Sequence, residues 1–285
     1  MAQNQFPPLS QILGIDLEIS VVDVGANPID GDPPYKPLLS AGKARVLGFE
    51  PNPEALARLE GAKGPRETYL PHAVGDGRRH TLRLCQAQGM TSLLAPNFTM
   101  LDCFHGFSDW AKVIEEVPLD TVRLDDVAAI DRLDYLKIDI QGGELMVFEN
   151  ATRLLADCLV IQTEVEFVPF YVDQPLFGEV DIFLRGQGFL FHRFWPEAGS
   201  RALKPMVIEN NIYRGLSQLV SADALFIKDF TRLDRLDDGQ LLRMATILHD
   251  VYQSLDVVLR LLMEHDRRRG TRYSALYMGQ DIPLD

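Results

Sequence analysis

Cysteine is scarce. The 285 residues hold three, Cys85, Cys103 and Cys158, with no two close in sequence. An odd count without close pairs fits neither a disulfide framework nor a zinc knuckle, and it predicts a reducing, cytoplasmic setting. Positive charge is also short: 41 acids stand against 28 bases, a net charge of −13. The one basic cluster, Arg267-Arg268-Arg269 with Arg272, reads as a solvated helix end. Phosphate neutralisation needs clustered Lys and Arg, so no nucleic-acid partner is expected. No apolar run reaches membrane-spanning length, and Met1 to Gln11 lacks the basic start and apolar core of a signal peptide. There is no internal repeat and no low-complexity tract. No G-x-G-x-x-G follows the first strand, which disfavours a nicotinamide-dependent oxidoreductase.

Hydrophobic residues make up 46% of the chain and charged ones 24%, enough to bury a sizeable core. The stretch Glu18-Ile-Ser-Val-Val-Asp-Val-Gly-Ala-Asn27 organises the rest. Its β-branched run reads as a strand buried on both faces that ends in a glycine turn. A second strand, Arg45 to Glu50, ends on an acid. A glycine turn followed by an acid at the next strand's tip is an arrangement that grips an adenosine, the carboxylate accepting the ribose hydroxyls. Asn52 and Pro53 suit the N-cap and first position of a helix over 54–60.

Further strands are predicted over 67–74, 80–85, 119–124, 133–140, 158–166, 188–194 and 223–228, with helices over 144–150 and 177–185. This alternation predicts an α/β fold with a doubly wound, mostly parallel sheet. The Pro-rich stretch Pro28 to Pro37 forces a loop directly after the glycine turn. The long irregular stretch 86–109 suggests a functional loop, and 195–219 reads as a variable insertion. Beyond it, Leu241, Met244, Leu248, Val251, Leu255, Val258 and Leu262 form a heptad seam that Gly270 would stop. The chain therefore divides into a Rossmann-like domain, 1–232, and a helical extension, 233–285. The seam is expected to pack across a subunit boundary and give a homodimer through residues 241–262.

Four blocks, Val22-Asp-Val-Gly-Ala-Asn27, Gly48-Phe-Glu-Pro-Asn52, Ala73-Val-Gly-Asp76 and Leu136-Lys-Ile-Asp-Ile-Gln-Gly-Gly-Glu144, resemble class I S-adenosylmethionine-dependent methyltransferases, and among them the FkbM family. The resemblance covers roughly residues 18 to 230. It implies a seven-stranded sheet with its last strand antiparallel, and methyl transfer to a hydroxyl of a small molecule or sugar. Carried over, Asp23, Gly25, Ala26 and Asn27 surround the methionine end of S-adenosylmethionine. Glu50 with Pro51 takes the ribose, Ala73 and Val74 the adenine, and Asp139 the sulfonium neighbourhood. Two positions depart from the family: Pro28 and Ile29 replace its usual isoleucine and glycine, and Gln141 stands where a glutamate is usual. Gln141 can hydrogen-bond but cannot act as a base.

Removing an acceptor's hydroxyl proton asks for a carboxylate, an imidazole or a metal. Asp139 is the first candidate base, Glu164 the second and His105 the third. A divalent cation among the clustered acids is conceivable chemistry, but no metal spacing is readable. Thr91 and Ser92 match a small-hydroxyl stretch of the family, placed to touch cofactor or acceptor. The competing reading is a non-catalytic cofactor-binding protein that assembles through its C-terminal helix.

Overall fold

The computed structural model describes residues 6–27 and 31–279. Eleven strands run in chain order: β1 (Ile19–Val24), β2 (Ala44–Phe49), β3 (Glu67–Leu70), β4 (Ala73–Val74), β5 (Arg79–Cys85), β6 (Val113–Val122), β7 (Tyr135–Ile138), β8 (Val160–Glu166), β9 (Phe189–Phe194), β10 (Gly199–Arg201) and β11 (Gln218–Lys228). The main sheet has eight of them in the order β10-β11-β8-β7-β1-β2-β3, with β9 also paired to β11. Strands β3, β2, β1, β7 and β8 are parallel, and β11 runs antiparallel to β8. The expected α/β architecture with an antiparallel last strand is therefore present. The eighth strand, β10, comes from the stretch read as a variable insertion.

Every residue of β1 is buried, Ser20 and Asp23 included, as in a strand covered on both faces. Val21 packs into one core and Val22 and Val24 into the other. The predicted strand over 67–74 is instead two: Pro71-His72 interrupts it, and β4 leaves for a second, three-stranded sheet in the order β4-β6-β5. Proline cannot donate to a ladder, so a strand running through it ends there.

The C-terminal seam differs from its expectation in two ways. It is not one helix, because Asp238–Asp250 stops and Leu255–Arg269 starts afresh, with Gln253 left-handed between them at φ 53. Asp237 and Gln240 form the capping box that starts the first of these helices, and Gly270, at φ 68, ends the second as anticipated. Nor does the seam face outward. Leu241, Met244, Leu248, Val258 and Leu262 are wholly buried against Ile19, Val21, Tyr35, Tyr135, Leu225 and Ile227 of the same chain. The break explains this. Tyr252 in the interrupted stretch donates to Gln162 Oε1 at 2.7 Å and meets the Tyr135 hydroxyl, which anchors the helix pair to β7 and β8. These five seam residues are therefore covered from within the chain. Among the described residues no helix is long and apolar enough to cross a membrane.

If the helix pair belongs to this core, Leu248→Ala should cost about 2–5 kcal/mol of unfolding free energy. Urea denaturation measures it; an unchanged midpoint would mean the helices sit on the sheet without stabilising it.

Candidate active site at the strand tips

The site is built first by main chain. After β1 the backbone turns at Gly25 with φ 77, and a Cβ there would lie 2.0 Å from the carbonyl oxygen of Asp139. Only glycine permits that approach. The Asp139 N–H donates to Val24 O at 3.0 Å, and the N–H groups of Gly25 and Ala26 both donate to Phe49 O at 3.1 Å. The tips of β1, β2 and β7 are thereby fixed against one another.

Glu50 continues from the tip of β2 and is only 5% exposed. Its Oε1 accepts the Asn52 N–H at 2.7 Å, and Asn52 in turn caps the helix Pro53–Ala62 through the N–H groups of Glu54 and Ala55. Burial raises the Glu50 carboxyl above its ordinary value, against the pull of the Asn52 N–H. Oε2 accepts no bond from the described residues.

A cavity of about 560 Å³ opens beside these tips. Gly25, Asn27, Phe49, Glu50 and Pro51 line one side, and Ala73, Val74, Leu82, Leu84, Val117 and Leu119 line another. Thr91, Ser92, Asp139, Ile140 and Gln141 lie on its wall as well. Most of the residues singled out in the sequence thus share one cavity. Asp23 and Ala26 are buried and off its wall; Asp23 Oδ2 accepts from Tyr35 OH at 2.6 Å, and Oδ1 faces Lys137 Nζ at 3.5 Å. His105 is not on the wall either; it sits between the helical turns Phe98–Leu101 and Phe107–Trp110, with its Nε2 buried and unpartnered among the described residues.

Glu164 reaches the site through Gln141. The Gln141 amide donates to Asp139 Oδ1 at 2.9 Å and to Glu164 Oε2 at 2.6 Å. Its own oxygen accepts from Tyr171 OH at 3.4 Å, and its backbone carbonyl from Ser92 Oγ at 2.6 Å. These contacts hold Gln141 at φ 61, an uncommon conformation for a residue with a side chain. A neutral donor between two acids relieves their repulsion; a glutamate there would add to it.

Two further residues of this site escaped the sequence reading. Glu144, which ends the fourth block and begins a helix but was given no role, is buried and accepts the N–H groups of Ile140 at 2.8 Å and Gly142 at 2.9 Å, tying the turn after β7 together. Lys137, read as strand interior, is the cation beneath the glycine turn, with Nζ 3.3 Å from Gly25 O. The spacing of Lys137 two residues before Asp139 was the available signal, since alternate residues point to the same side as an extended chain leaves β7. Among the described residues no group of three or more His, Cys, Asp or Glu side chains is arranged to hold a metal ion.

Burial, and after it the neighbouring acids, raises Glu164 and Glu166 well above the usual carboxylate range; burial likewise raises Glu144, to about 7. An acid raised on folding contributes its stability fully below the unfolded value, and loses it as pH climbs through the folded one. For Glu144 that window runs from about 4.5 to about 7. Glu166→Gln should therefore flatten the fall in unfolding free energy above pH 4.5 relative to the parent protein. Denaturation midpoints measured from pH 4.5 to 8 read this, and parallel curves would contradict it.

The curated 2-O-methyltransferase NoeI of Sinorhizobium fredii is 27% identical over 165 residues, 55% of this chain, and the chain spans 65% of that relative's length. Among solved structures, precorrin-6y C5,15-methyltransferase from Geobacter metallireducens aligns over 77% of this chain and 85% of its own, at 13% identity and a TM-score of 0.35. A 16S rRNA (adenine(1408)-N(1))-methyltransferase from Catenulisporales acidiphilia aligns over 80% and 97%, at 10% identity and a TM-score of 0.36. The methyltransferase FkbM domain model matches residues 23–191, which span the glycine turn, Glu50, the cavity walls, Asp139 and Glu164, and the chain belongs to that family of methyltransferases.

Proposed function

We propose that this chain is an S-adenosylmethionine-dependent O-methyltransferase acting on a hydroxyl of a small molecule or sugar. The observation that carries this reading is Glu50: a buried carboxylate on the cavity wall, with one oxygen held by Asn52 N–H and the other without a partner among the described residues. Such a group suits a ribose diol. Apolar Phe49, Ala73, Val74, Leu82 and Leu84 beside it suit a flat purine, and Asp139, also on the wall, suits the positive sulfonium end. The name of the curated relative favours oxygen as the methyl acceptor. The three free cysteines of this chain fit a reducing, cytoplasmic setting.

S-adenosylmethionine, when bound, supplies an activated methyl that carries its own leaving group. The chain's residues have correspondingly little to do: hold the acceptor oxygen in line, keep water out and take a proton. Asp139 is the base on this account, because it lines the cavity and Glu164 does not. Gln141 fixes Asp139 through Oδ1 and leaves Oδ2 for the acceptor hydroxyl. Met90, Phe104, Phe107, Phe170 and Tyr171 form their own small core, and Thr91 and Ser92, which follow Met90, lie on the cavity wall. The helical seam that suggested a homodimer or a non-catalytic assembly role is filled from within the chain, so nothing in this reading depends on a second copy.

Glu50→Ala should weaken S-adenosylmethionine binding by about 1.5–3 kcal/mol, the range for hydrogen bonds to a charged group. Titration calorimetry on a folded variant measures it; unchanged affinity would remove Glu50 from the ribose. With an acceptor in hand, Asp139→Asn should lower turnover by roughly 10²–10⁴-fold while S-adenosylhomocysteine affinity hardly moves. Loss of that affinity at preserved saturated turnover would make Asp139 a binding residue instead.

A further inference from the structure

We propose that Lys137 is the residue that receives the amino-acid carboxylate of the cofactor at the Gly25 end of the cavity. The proposal rests on the S-adenosylmethionine reading and adds to it a recognition element for the ligand's one anionic group. That group must enter a strongly acidic neighbourhood, with Asp23, Asp139 and Glu164 close by, and it needs N–H donors or a positive charge there.

Two of the turn's amide donors are not free. A glycine turn after a strand commonly offers its amides to an anion, but here the N–H groups of Gly25 and Ala26 are both spent on Phe49 O. Among the described residues lining the cavity, the one Lys or Arg is Arg58, which lies on the helix that follows Glu50, at the other end.

Lys137, which lies behind the Gly25 turn rather than on the cavity wall, fills the gap. It sits on β7 directly opposite Asp23 of β1, and its side chain keeps 17% of its exposure. Nζ lies 3.3 Å from Gly25 O and 3.5 Å from Asp23 Oδ1, long contacts where a charge-assisted bond runs to about 2.7–2.9 Å. The third N–H has no partner among the described residues. Asp23 Oδ1 is itself buried with no hydrogen bond among those residues, so the ammonium is held nearby without being fully engaged. Burial pulls the Lys137 pKa down, but Asp23, Asp139 and Asp223 outweigh it and keep the ammonium charged. A purely structural lysine would close on Asp23; this one has a donor to spare at the turn where an amino-acid end would arrive.

The test compares two ligands that share adenosine and thioether and differ in the amino-acid end: S-adenosylhomocysteine and 5′-methylthioadenosine. Calorimetry is run on the parent protein, Lys137→Met and Lys137→Arg. Lys137→Met should weaken S-adenosylhomocysteine by about 10–100-fold, the range for one charged hydrogen bond, and leave methylthioadenosine within about twofold. Lys137→Arg should recover part of the loss. Equal weakening of both ligands, or no change in either, overturns the proposal while leaving the cofactor reading in place. If the parent protein binds neither ligand, the cofactor reading fails and takes the proposal with it. Should Lys137→Met not fold, NMR of the lysine Cε–Nζ groups of the parent protein serves. The Lys137 resonance, identified by its loss in Lys137→Arg, should shift with S-adenosylhomocysteine and not with methylthioadenosine; an equal response to both overturns the assignment.

Discussion

The approach of the Gly25 turn to the Asp139 backbone is the constraint on which the site depends. A single methyl at Gly25 would fall 2.0 Å from a carbonyl oxygen, so the missing side chain decides whether β1 and β7 can end side by side. Once they do, the bonds from Asp139 to Val24 and from Gly25 and Ala26 to Phe49 lock three strand tips without any side chain. Glu50 and Asp139 then project from backbone that cannot drift, which is how a site achieves geometry before a ligand arrives.

That rigidity gathers like charges. Burial, and after it neighbouring acids such as Asp139, raises the proton affinity of Glu144, Glu164 and Glu166, and most of what lies between them serves to temper this. Glu144 is satisfied by two backbone N–H groups, Gln141 places one amide between Asp139 and Glu164, and Lys137 sets an ammonium under Asp23. The resulting field favours a cationic ligand at the β7 end, and on our proposal Lys137 meets the anionic end of the same ligand. A sulfonium with an amino-acid tail has both kinds of charge.

The strand tips were legible because β-branched runs and acids stand in the sequence where the main chain needs them: Ile19 to Val24 before Gly25, and Arg45 to Phe49 before Glu50. The partition of the C-terminal seam was not legible. Apolar residues step by three and four straight through 251–254, so periodicity reads the same whether the helix continues or restarts. What decides it is Tyr252 reaching Gln162 and Tyr135, a long-range contact that no local pattern encodes. Glu144 closed the fourth family block without a role of its own, and only the turn it ties shows why its carboxylate is buried. The departure at Pro28-Ile29 lies outside the described residues.

A crystal structure of the protein with S-adenosylhomocysteine tests the central claim most directly. The account predicts both ribose hydroxyls on the Glu50 carboxylate, the purine between the Phe49 and Leu82–Leu84 walls, and the sulfur within the Gly25–Asp139 end of the cavity. An adenosine bound elsewhere, or bound here with its diol away from Glu50, would contradict it.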